Sequence, residues 1–206
     1  MASKSPFYVI PEFISPLMCE EILDICDFIA PDKDKDLNPI LTIKSSERAE
    51  SLIYERLLLV LPEVQAHYQI LYKGTEPIYF EWYPQGCKGE CHAENSNYVR
   101  SKWLRTKNRD ITGVLFLTEY QDQIPYEQDY EVYGGKLEFP QHHFGFNPQR
   151  GTLIFFPSDP HFINGTSDVF VGDAFQARIQ IAAQTPYLYD PQMFPGNYTT
   201  WFADKL

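Results

Sequence analysis

The sequence predicts one mainly β domain, an antiparallel barrel or double-sheet jelly roll, supported by two N-terminal helices. Apolar residues recur at helical spacing in the first third of the chain, and short segments rich in aromatic and β-branched residues follow. Aromatics make up 16% of the 206 residues, and 16 Pro and 11 Gly favour many short strands and turns over a helical bundle. We expect a single domain over 1–206, with helical support in 1–76 and the β core in 77–206.

The chain is expected to open with a short strand and a helix. Phe7 to Ile10 reads as the strand, and Ser15 followed by Pro16 is a helix start, since the hydroxyl can cap free amides and proline lacks the donor that would go unused there. Ala30-Pro31 should end this helix, and the polar stretch 32–38 is expected to be a loop. The apolar face of the helix comprises Cys19, Ile22, Leu23, Cys26 and Ile29.

A second helix is expected to begin near Ser46 and to be stopped or kinked at Pro62, which lacks a backbone donor. Both helices are interpreted as structural supports. The apolar face of the second helix comprises Ala49, Leu52, Ile53, Leu57 and Val60.

Five segments in the second part of the chain are expected to be strands. They are short and contain many β-branched or aromatic residues, and Gly- or Pro-containing turn signals separate them. Their number and spacing, after two helices, are typical of a barrel or jelly roll. The predicted strands are Ile78–Trp82, Thr112–Leu117, Lys136–Phe139, Thr152–Phe156 and Ala177–Ala182.

The charge balance argues against general nucleic-acid binding. The formal net charge is -11, whereas proteins that neutralise phosphates need clustered Lys and Arg. One local basic run could form a groove, although a solvated surface loop is the simpler interpretation. This run comprises Arg100, Lys102, Arg105, Lys107 and Arg109.

Cysteine usage and the N-terminus predict a reducing, cytoplasmic location. Four cysteines in a chain of 206 residues do not make a dense disulfide framework. The first residues lack the apolar stretch of a signal peptide, and no apolar run approaches the length of a membrane span. We therefore expect no membrane partner.

The candidate chemistry centres on His92-Ala-Glu94. On a strand, residues two apart project from the same face, so an imidazole and a carboxylate would converge. Two histidines and one carboxylate, with open adjacent positions, form the ligand set of non-haem iron(II) oxygenases. The second histidine would come from a later strand region, and His161 follows the predicted strand Thr152–Phe156.

Four stretches of the chain, in the same order, resemble the prolyl 4-hydroxylase-like branch of the 2-oxoglutarate/iron(II) oxygenases. The opening, Phe7 to Pro16 followed by a helix, is similar to the family's N-terminus. Tyr83-Pro-Gln-Gly leading to His92-Ala-Glu94-Asn resembles its His-x-Asp segment, and Tyr133-Gly-Gly-Lys-Leu-Glu-Phe resembles its Gly-Gly-x-Leu strand. The fourth stretch, Gly151 to His161 followed by Ala177-Arg-Ile-Gln-Ile-Ala, looks like the family's C-terminal part.

The resemblance implies a double-stranded β-helix with a defined set of site residues. His92, Glu94 and His161 match the metal-ligand positions, and Arg178 matches the basic residue that grips the distal carboxylate of 2-oxoglutarate. A guanidinium pairs with a carboxylate through two parallel hydrogen bonds, which suits that role. Tyr83 lies where the family often places a phenol near the co-substrate, and a core aromatic is the alternative interpretation of this residue.

The activity that the resemblance implies is hydroxylation of an unactivated C–H bond by iron(II), 2-oxoglutarate and dioxygen, with ascorbate as a further candidate cofactor. A prolyl residue in a peptide or protein is the substrate that the resemblance implies. This expectation comes from the resemblance alone, because a fold does not define a substrate. The chain departs from the family in two places. Glu94 stands where Asp is usual, and Phe116 stands where some relatives carry a tyrosine that contacts the co-substrate.

Other metal sites and functions remain alternatives. A zinc site from Cys87, Cys91 and His92 has suitable ligand types and lacks a fourth ligand. The adjacent His142 and His143 would point to opposite faces of a strand and are interpreted as loop residues near a substrate entrance. At the level of function, the alternatives are a catalytically silent binding module on the same fold, and an assembly protein. The assembly protein would dock a partner through the aromatic-rich surface from Tyr120 to Tyr133, whose polar, acidic tract 121–131 could equally be a loop over the site.

Overall fold

The computed structural model describes residues 4–26, 41–43, 47–124 and 130–201. In this part of the chain, fifteen short strands and three helices form a jelly roll, the double-stranded β-helix expected from the sequence. The strands are β1 (Tyr8–Ile10), β2 (Leu41–Ile43), β3 (Tyr72–Thr75), β4 (Tyr79–Tyr83), β5 (Ser96–Val99), β6 (Lys102–Arg105), β7 (Ile111–Phe116), β8 (Glu119–Tyr120), β9 (Glu131–Gly134), β10 (Leu137–Phe139), β11 (Phe144–Phe146), β12 (Leu153–Pro157), β13 (Gly165–Thr166), β14 (Val169–Gly172) and β15 (Ala174–Ala183). The helices are α1 (Pro16–Ile25), α2 (Glu47–Tyr68) and α3 (Tyr198–Trp201).

Helix α1 begins as the sequence predicts. The Ser15 hydroxyl accepts a hydrogen bond from the backbone N–H of Met18 at 3.2 Å, and Pro16 occupies the first turn. The described helix ends at Ile25 with Cys26 as its C-cap, and the predicted end at Ala30-Pro31, the apolar residue Ile29 and the predicted loop 32–38 lie outside the described residues. The buried side chains of α1 are Cys19, Ile22 and Leu23.

Helix α2 continues past Pro62 to Tyr68. Of the two interpretations of Pro62 from the sequence, a stop or a kink, the stop is therefore wrong. The last turns pack against the body of the protein, since Val64 is fully buried and Tyr68 is 1% exposed. The Tyr68 hydroxyl donates to the backbone carbonyl of Pro6 at 2.8 Å. Tertiary packing of this kind stabilises helical residues beyond a proline.

The large sheet has seven strands in the order β1-β12-β7-β15-β4-β2, with β3 also paired to β15. All of its pairs are antiparallel. Two three-stranded sheets, β11-β10-β13 and β14-β9-β8, complete the jelly roll, and the β5-β6 hairpin forms a separate two-stranded sheet. The five strands predicted for the second part of the chain correspond to β4, β7, β10, β12 and β15. Most of the two- to four-residue strands were not predicted, because segments this short carry little periodic signal.

Alternation along β15 gives the large sheet one apolar face and one partly polar face. Ala177, Ile179 and Ile181 belong to the main hydrophobic cluster, which also includes the buried faces of α1 and α2. The residues between them, Arg178 and Gln180, point to the barrel interior together with a second, mainly aromatic cluster. This interior cluster comprises Phe7, Val114, Phe116, Leu137, Phe139, Ile154, Phe156 and Phe162.

No helix within the described ranges is long and apolar enough to span a membrane.

Candidate functional site

The polar centre of the barrel is Arg178, on β15, whose residue exposure is 0%. Its Nε donates to Glu81 Oε2 at 2.8 Å, and its Nη1 donates to Glu94 Oε1 at 3.1 Å and to Asn164 Oδ1 at 2.9 Å. Burial opposes the charge of the guanidinium, and the two carboxylates outweigh this effect, so the pKa of Arg178 lies well above its usual value. Arg178 is therefore a permanently charged cation between two carboxylates.

Glu94 has a fully buried side chain, and N–H donors approach both of its carboxylate oxygens. Besides Arg178, Asn164 Nδ2 lies 3.4 Å from Oε1. Gln180 Nε2 donates to Oε2 at 2.9 Å, and Arg109 Nη1 lies 3.5 Å from the same oxygen. Burial favours the neutral acid, but the hydrogen bond from His92 and the charges of Arg178, His92 and Arg109 outweigh it and lower the pKa of Glu94 to about 2.

His92 lies beside Glu94, but their segment is not the strand that the His-x-Glu spacing was expected to occupy: His92 forms an isolated bridge and Glu94 lies in a bend. Its Nε2 is 3.4 Å from Glu94 Oε1, its Nδ1 lies 3.0 Å from the Glu90 carbonyl, and 46% of its side chain is exposed. The hydrogen bond to Glu94 raises the pKa of His92, against the opposing effect of burial. The structure thus joins His92, Glu94 and Arg178 in one cluster at the edge and interior of the barrel.

The residue opposite His92 is Asn164, and not His161. The backbones of His92 and Asn164 form an isolated antiparallel bridge, with N–H to carbonyl distances of 2.9 and 3.0 Å. The amide of Asn164 then reaches both Glu94 and Arg178. An amide, which carries no charge, therefore occupies the place next to the His92-Glu94 pair.

His161 makes its own local contacts in the structure. It lies in a 3-10 turn, Pro160–Phe162, whose N-cap Asp159 accepts hydrogen bonds from both the backbone N–H and the ring Nδ1 of His161 at 2.8 Å. The side chain of His161 is 68% exposed. Its ring Nδ1 is thus engaged by Asp159, and among the described residues His161 forms no metal-binding group with His92 and Glu94.

Glu81 and Tyr83 project from β4 toward Arg178 and complete the ion-pair network. Glu81 Oε2 accepts from the Tyr83 hydroxyl at 2.9 Å and from Gln176 Nε2 at 2.6 Å, in addition to Arg178. Burial raises the pKa of the Tyr83 phenol, so Tyr83 acts as a neutral donor. Tyr83 is therefore a buried aromatic residue whose hydroxyl binds an internal carboxylate, an arrangement similar to the core-aromatic interpretation of this residue.

Uncharged side chains extend the network toward one end of the barrel. Thr112 Oγ1 donates to Gln180 Oε1 at 2.8 Å and lies 2.7 Å from the Ser158 hydroxyl. All three residues are buried. These three buried side chains therefore satisfy one another, in a region where an unpaired polar group would be costly.

The donor set does not fit a three-ligand iron centre. Among the residues that the structure describes, no group of three or more His, Cys, Asp or Glu side chains is placed to hold a metal ion. His92 and Glu94 supply two ligand types, and their third neighbour is the Asn164 amide. An ion on Glu94 Oε1 would also share that oxygen with a guanidinium nitrogen at 3.1 Å, and two cations repel strongly in a buried site.

The residues also fit 2-oxoglutarate poorly. The guanidinium expected to grip the co-substrate carboxylate already binds Glu81 and Glu94, both carried by the chain itself. One atom runs against this assessment. Arg178 Nη2 is buried without a hydrogen-bond partner within the described structure, so one donor of the fork could still meet an acceptor.

The other candidate ligands are also accounted for. Cys87 and Cys91 do not form a metal-binding group with His92 in the described ranges. His142 Nε2 lies 2.8 Å from the His161 carbonyl, and its ring stacks on Phe162 at 4.9 Å, so it packs against the turn. Phe116, the second departure from the family pattern, stacks on Phe146 at 5.5 Å.

Two residues that bind Arg178, Glu81 and Asn164, were not predicted from the sequence. A carboxylate at the middle of the strand Tyr-Phe-Glu-Trp-Tyr was a signal that could have identified Glu81, since a buried acid needs a cationic partner. Asn164 gave no such signal, because Asn-Gly is a common turn sequence. Only the bridge to His92 reveals its position.

Comparison with solved structures identifies the fold. The chain is similar to a viral collagen prolyl hydroxylase of Paramecium bursaria Chlorella virus-1, solved as a 2-oxoglutarate complex, with a TM-score of 0.60, 18% identity and coverage of 88% of this chain and 97% of that one. A Pseudomonas putida prolyl-4-hydroxylase gives 0.59, 14%, 88% and 94% for the same quantities. A Trichoplax adhaerens prolyl hydroxylase, in complex with a hypoxia-inducible-factor peptide fragment, gives 0.58, 14%, 87% and 84%. No protein-family model and no curated protein matches the chain in sequence.

Proposed function

Starting from a prolyl-hydroxylase-like fold, we propose that this chain is a binding module that works without iron, in which Arg178 is the cation that holds Glu94. The observation that carries the proposal is the 3.1 Å hydrogen bond between Arg178 Nη1 and Glu94 Oε1 in a fully buried setting. A guanidinium on a strand needs no ligand from solution. Apart from Arg178 Nη2, the guanidinium is therefore satisfied by side chains of the same chain, and binding is left to the outer surfaces.

The balance of charges around Glu94 supports the proposal. Arg178 pairs with Glu81 and with Glu94, and Arg109 adds a second positive charge 3.5 Å from Glu94. Arg109 also binds Glu76 through a bidentate contact of 2.6 to 3.0 Å. Two cations thus accompany the two buried carboxylates, Glu81 and Glu94, while the Glu76 side chain is 38% exposed, so a dication is not needed to make burial of Glu81 and Glu94 tolerable.

An iron(II)- and 2-oxoglutarate-dependent oxygenase that hydroxylates a prolyl residue of a peptide is the second candidate. Three observations favour it: the likeness in fold to prolyl hydroxylases, the His92-Glu94 contact of 3.4 Å, and the unpartnered Nη2 of Arg178. As an oxygenase the chain would use His92, Glu94 and His161 as ligands and Arg178 for 2-oxoglutarate. This arrangement requires His161 to leave Asp159 and Arg178 to exchange an internal carboxylate for an external one.

Anaerobic titration with iron(II) and 2-oxoglutarate distinguishes the two candidates. The proposal predicts no visible charge-transfer band, no succinate release, and the same thermal midpoint in EDTA as in iron(II). A band that disappears in His161→Ala, together with a higher midpoint in iron(II), would establish the oxygenase and reject the proposal. Glu94→Gln adds a readout that does not depend on activity: under the proposal it lowers the thermal midpoint equally with and without metal.

A further inference from the structure

The β5-β6 hairpin and its flanks differ sharply in charge from the rest of the chain. The stretch 95–109 contains five Lys or Arg residues and no Asp or Glu, a formal charge of +5. Because the whole chain carries -11, the other residues together carry -11 - 5 = -16. The hairpin is thus a basic element on an acidic protein, and its charge favours an acidic partner.

The hairpin stands apart from the other sheets. Strands β5 and β6 pair only with each other among the described strands, with Tyr98 opposite Trp103 and Val99 opposite Lys102. The connecting residues Arg100 and Ser101 have φ values of 49° and 64°, the left-handed conformation of a tight two-residue turn. Neither residue is Gly or Asn, so this turn presents a charged side chain at its tip at some conformational cost.

Apolar side chains are exposed on both faces of the hairpin. Of the twelve exposed large hydrophobic residues in the described part of the chain, four lie in this ten-residue element. The rings of Tyr98 and Trp103 lie 5.1 Å apart on one face, and Val99 and Leu104 lie on the other. A solvated hairpin has no need of this concentration, which is typical of a binding surface.

The backbone of the hairpin offers free edges. In a two-residue hairpin the residues beside the turn exchange hydrogen bonds, so the next pair, Tyr98 and Trp103, does not. The N–H and carbonyl groups of these two residues therefore point outward, one on each edge. The close ring contact of 5.1 Å agrees with such a non-hydrogen-bonded pair.

Two of the five cations are already paired, and three are not. Arg105 binds Asp110 at 2.9 Å, and Arg109 binds Glu76. Arg100, Lys102 and Lys107 are exposed, and no ion pair is found for them within the described ranges. These three exposed side chains lie in or next to the hairpin in sequence and are available to carboxylates from outside.

We propose that the β5-β6 hairpin binds an extended acidic peptide segment of another protein as an added strand. Backbone hydrogen bonds would form along a hairpin edge, apolar side chains of the peptide would contact one hairpin face, and its carboxylates would meet Arg100, Lys102 and Lys107. This inference names a partner for the proposed binding module. It rests on the proposed function in one respect: the bound segment is treated as a partner and not as a substrate.

A peptide suits the hairpin better than a single-stranded nucleic acid. Stacking on Tyr98 and Trp103 would serve both ligands, but Val99 and Leu104 on the opposite face, together with the free strand edges, have counterparts only in a peptide. The remaining charge of -16 on the protein would also repel a polyphosphate more than a peptide of a few carboxylates.

Fluorescence polarisation in EDTA tests the inference with a labelled twelve-residue peptide that alternates Glu or Asp with Val or Ile. The expected result is saturable binding that is lost when the acids become Gln and Asn. N-methylation of alternate peptide bonds should abolish binding in one phase of alternation and spare it in the other, because a strand pairs through every second residue. Lys102→Glu should weaken binding about tenfold or more. Lys73→Glu, an exposed charge reversal on β3, should change it less than about twofold.

Three results would overturn the inference: no binding of the acidic peptide, equal loss with Lys102→Glu and Lys73→Glu, or insensitivity to both phases of N-methylation. Tighter binding of an oligothymidine than of the peptide would also reject it in favour of a nucleic-acid surface. Equal circular-dichroism spectra and thermal midpoints of the variants exclude unfolding as the cause. Because every arm is run in EDTA, failure here is distinct from failure of the iron-free proposal, which is decided by the metal titration.

Discussion

Nη1 of Arg178 donates to Oε1 of Glu94 across 3.1 Å inside the barrel, and the two residues are 84 positions apart in sequence. The same guanidinium donates to Glu81 at 2.8 Å. Strands β4 and β15 and the segment after Gly89 are thus joined through one side chain. This arrangement lets the barrel bury two carboxylates with a cation of its own, and it makes the network the most consequential place to perturb stability.

Arg178→Gln should lower the free energy of unfolding by about 3–5 kcal/mol, because it leaves Glu81 and Glu94 buried without their cation. Denaturant unfolding at neutral pH measures this change. Arg48→Gln is the control, since Arg48 forms an ion pair with Glu21 in which both side chains are exposed, and its loss should cost less than about 1 kcal/mol. Equal effects of the two substitutions would contradict the assignment of Arg178 as the cation of the core.

The coupling between Arg178 and Glu94 can be measured by a double-mutant cycle. Glu94→Gln in the Arg178→Gln background should cost less than Glu94→Gln alone, since the carboxylate is a liability once the guanidinium is absent. We expect an interaction energy of about 1–3 kcal/mol from the four unfolding free energies. Additive effects within about 0.5 kcal/mol would mean that the two side chains do not stabilise each other.

Gly151 and Gly86 form a matched pair that separates backbone strain from steric conflict. Both have a left-handed φ, +81° and +83°, but a Cβ at Gly151 would lie 2.2 Å from the Ile14 carbonyl oxygen, whereas nothing lies within 4 Å at Gly86. Gly86→Ala should cost about 1–2 kcal/mol from φ alone. Gly151→Ala should cost at least about 2 kcal/mol more, since the clash with backbone forces a shift. Thermal unfolding of both variants checks this, and equal losses would refute the close approach of β1 and its following loop to Gly151.

His67 should make stability depend on pH. Burial lowers the pKa of His67 from an ordinary 6.5 to about 4. The contact with the Ser5 carbonyl opposes this effect, and the positive charge of Lys4 adds to it. The folded state therefore prefers neutral His67, and its stabilising effect is complete above about pH 6.5 and declines as the pH falls toward about 4, because the unfolded chain binds the proton first.

His67→Gln isolates this effect, since an amide can still donate to the Ser5 carbonyl, which lies 2.9 Å from His67 Nε2. Between about pH 7 and about pH 5 we expect the wild-type chain to lose about 1 kcal/mol more than the variant, a value reduced for the partial exposure of the ring. The measurement is urea unfolding at several pH values. Parallel pH profiles of the two proteins would show that His67 titrates normally in the folded state.

Much of the fold followed from local pattern. The hydroxyl-proline start of α1, the apolar stripe of α2 and the five predicted barrel strands are signals that a few neighbouring residues carry. Short strands such as β8 and β13, with two residues each, are defined by their partners and not by periodicity. Proline 62 failed as a stop signal because burial of the following turns outweighs one missing hydrogen bond.

The candidate site divides in the same way. His92 and Glu94 lie in contact, although their segment is not the strand that the spacing was expected to occupy, and Arg178, predicted from the family resemblance, points into the barrel from β15. The partners across the barrel, Glu81 and Asn164, were not foreseen. The ring of His161 instead contacts Asp159, two residues away in sequence, and among the described residues it forms no metal-binding group with His92 and Glu94.

By itself, the sequence determined which side chains face inward and where the helices begin, because those properties depend on periods of two and of 3.6 residues along one segment. The tertiary structure alone decided what the inward side chains meet. Whether Glu94 faces an ion or a guanidinium depends on the register between β4, β7 and β15, and a shift of one residue would turn Arg178 to the opposite face of the sheet. In this chain the register places charge against charge within the barrel.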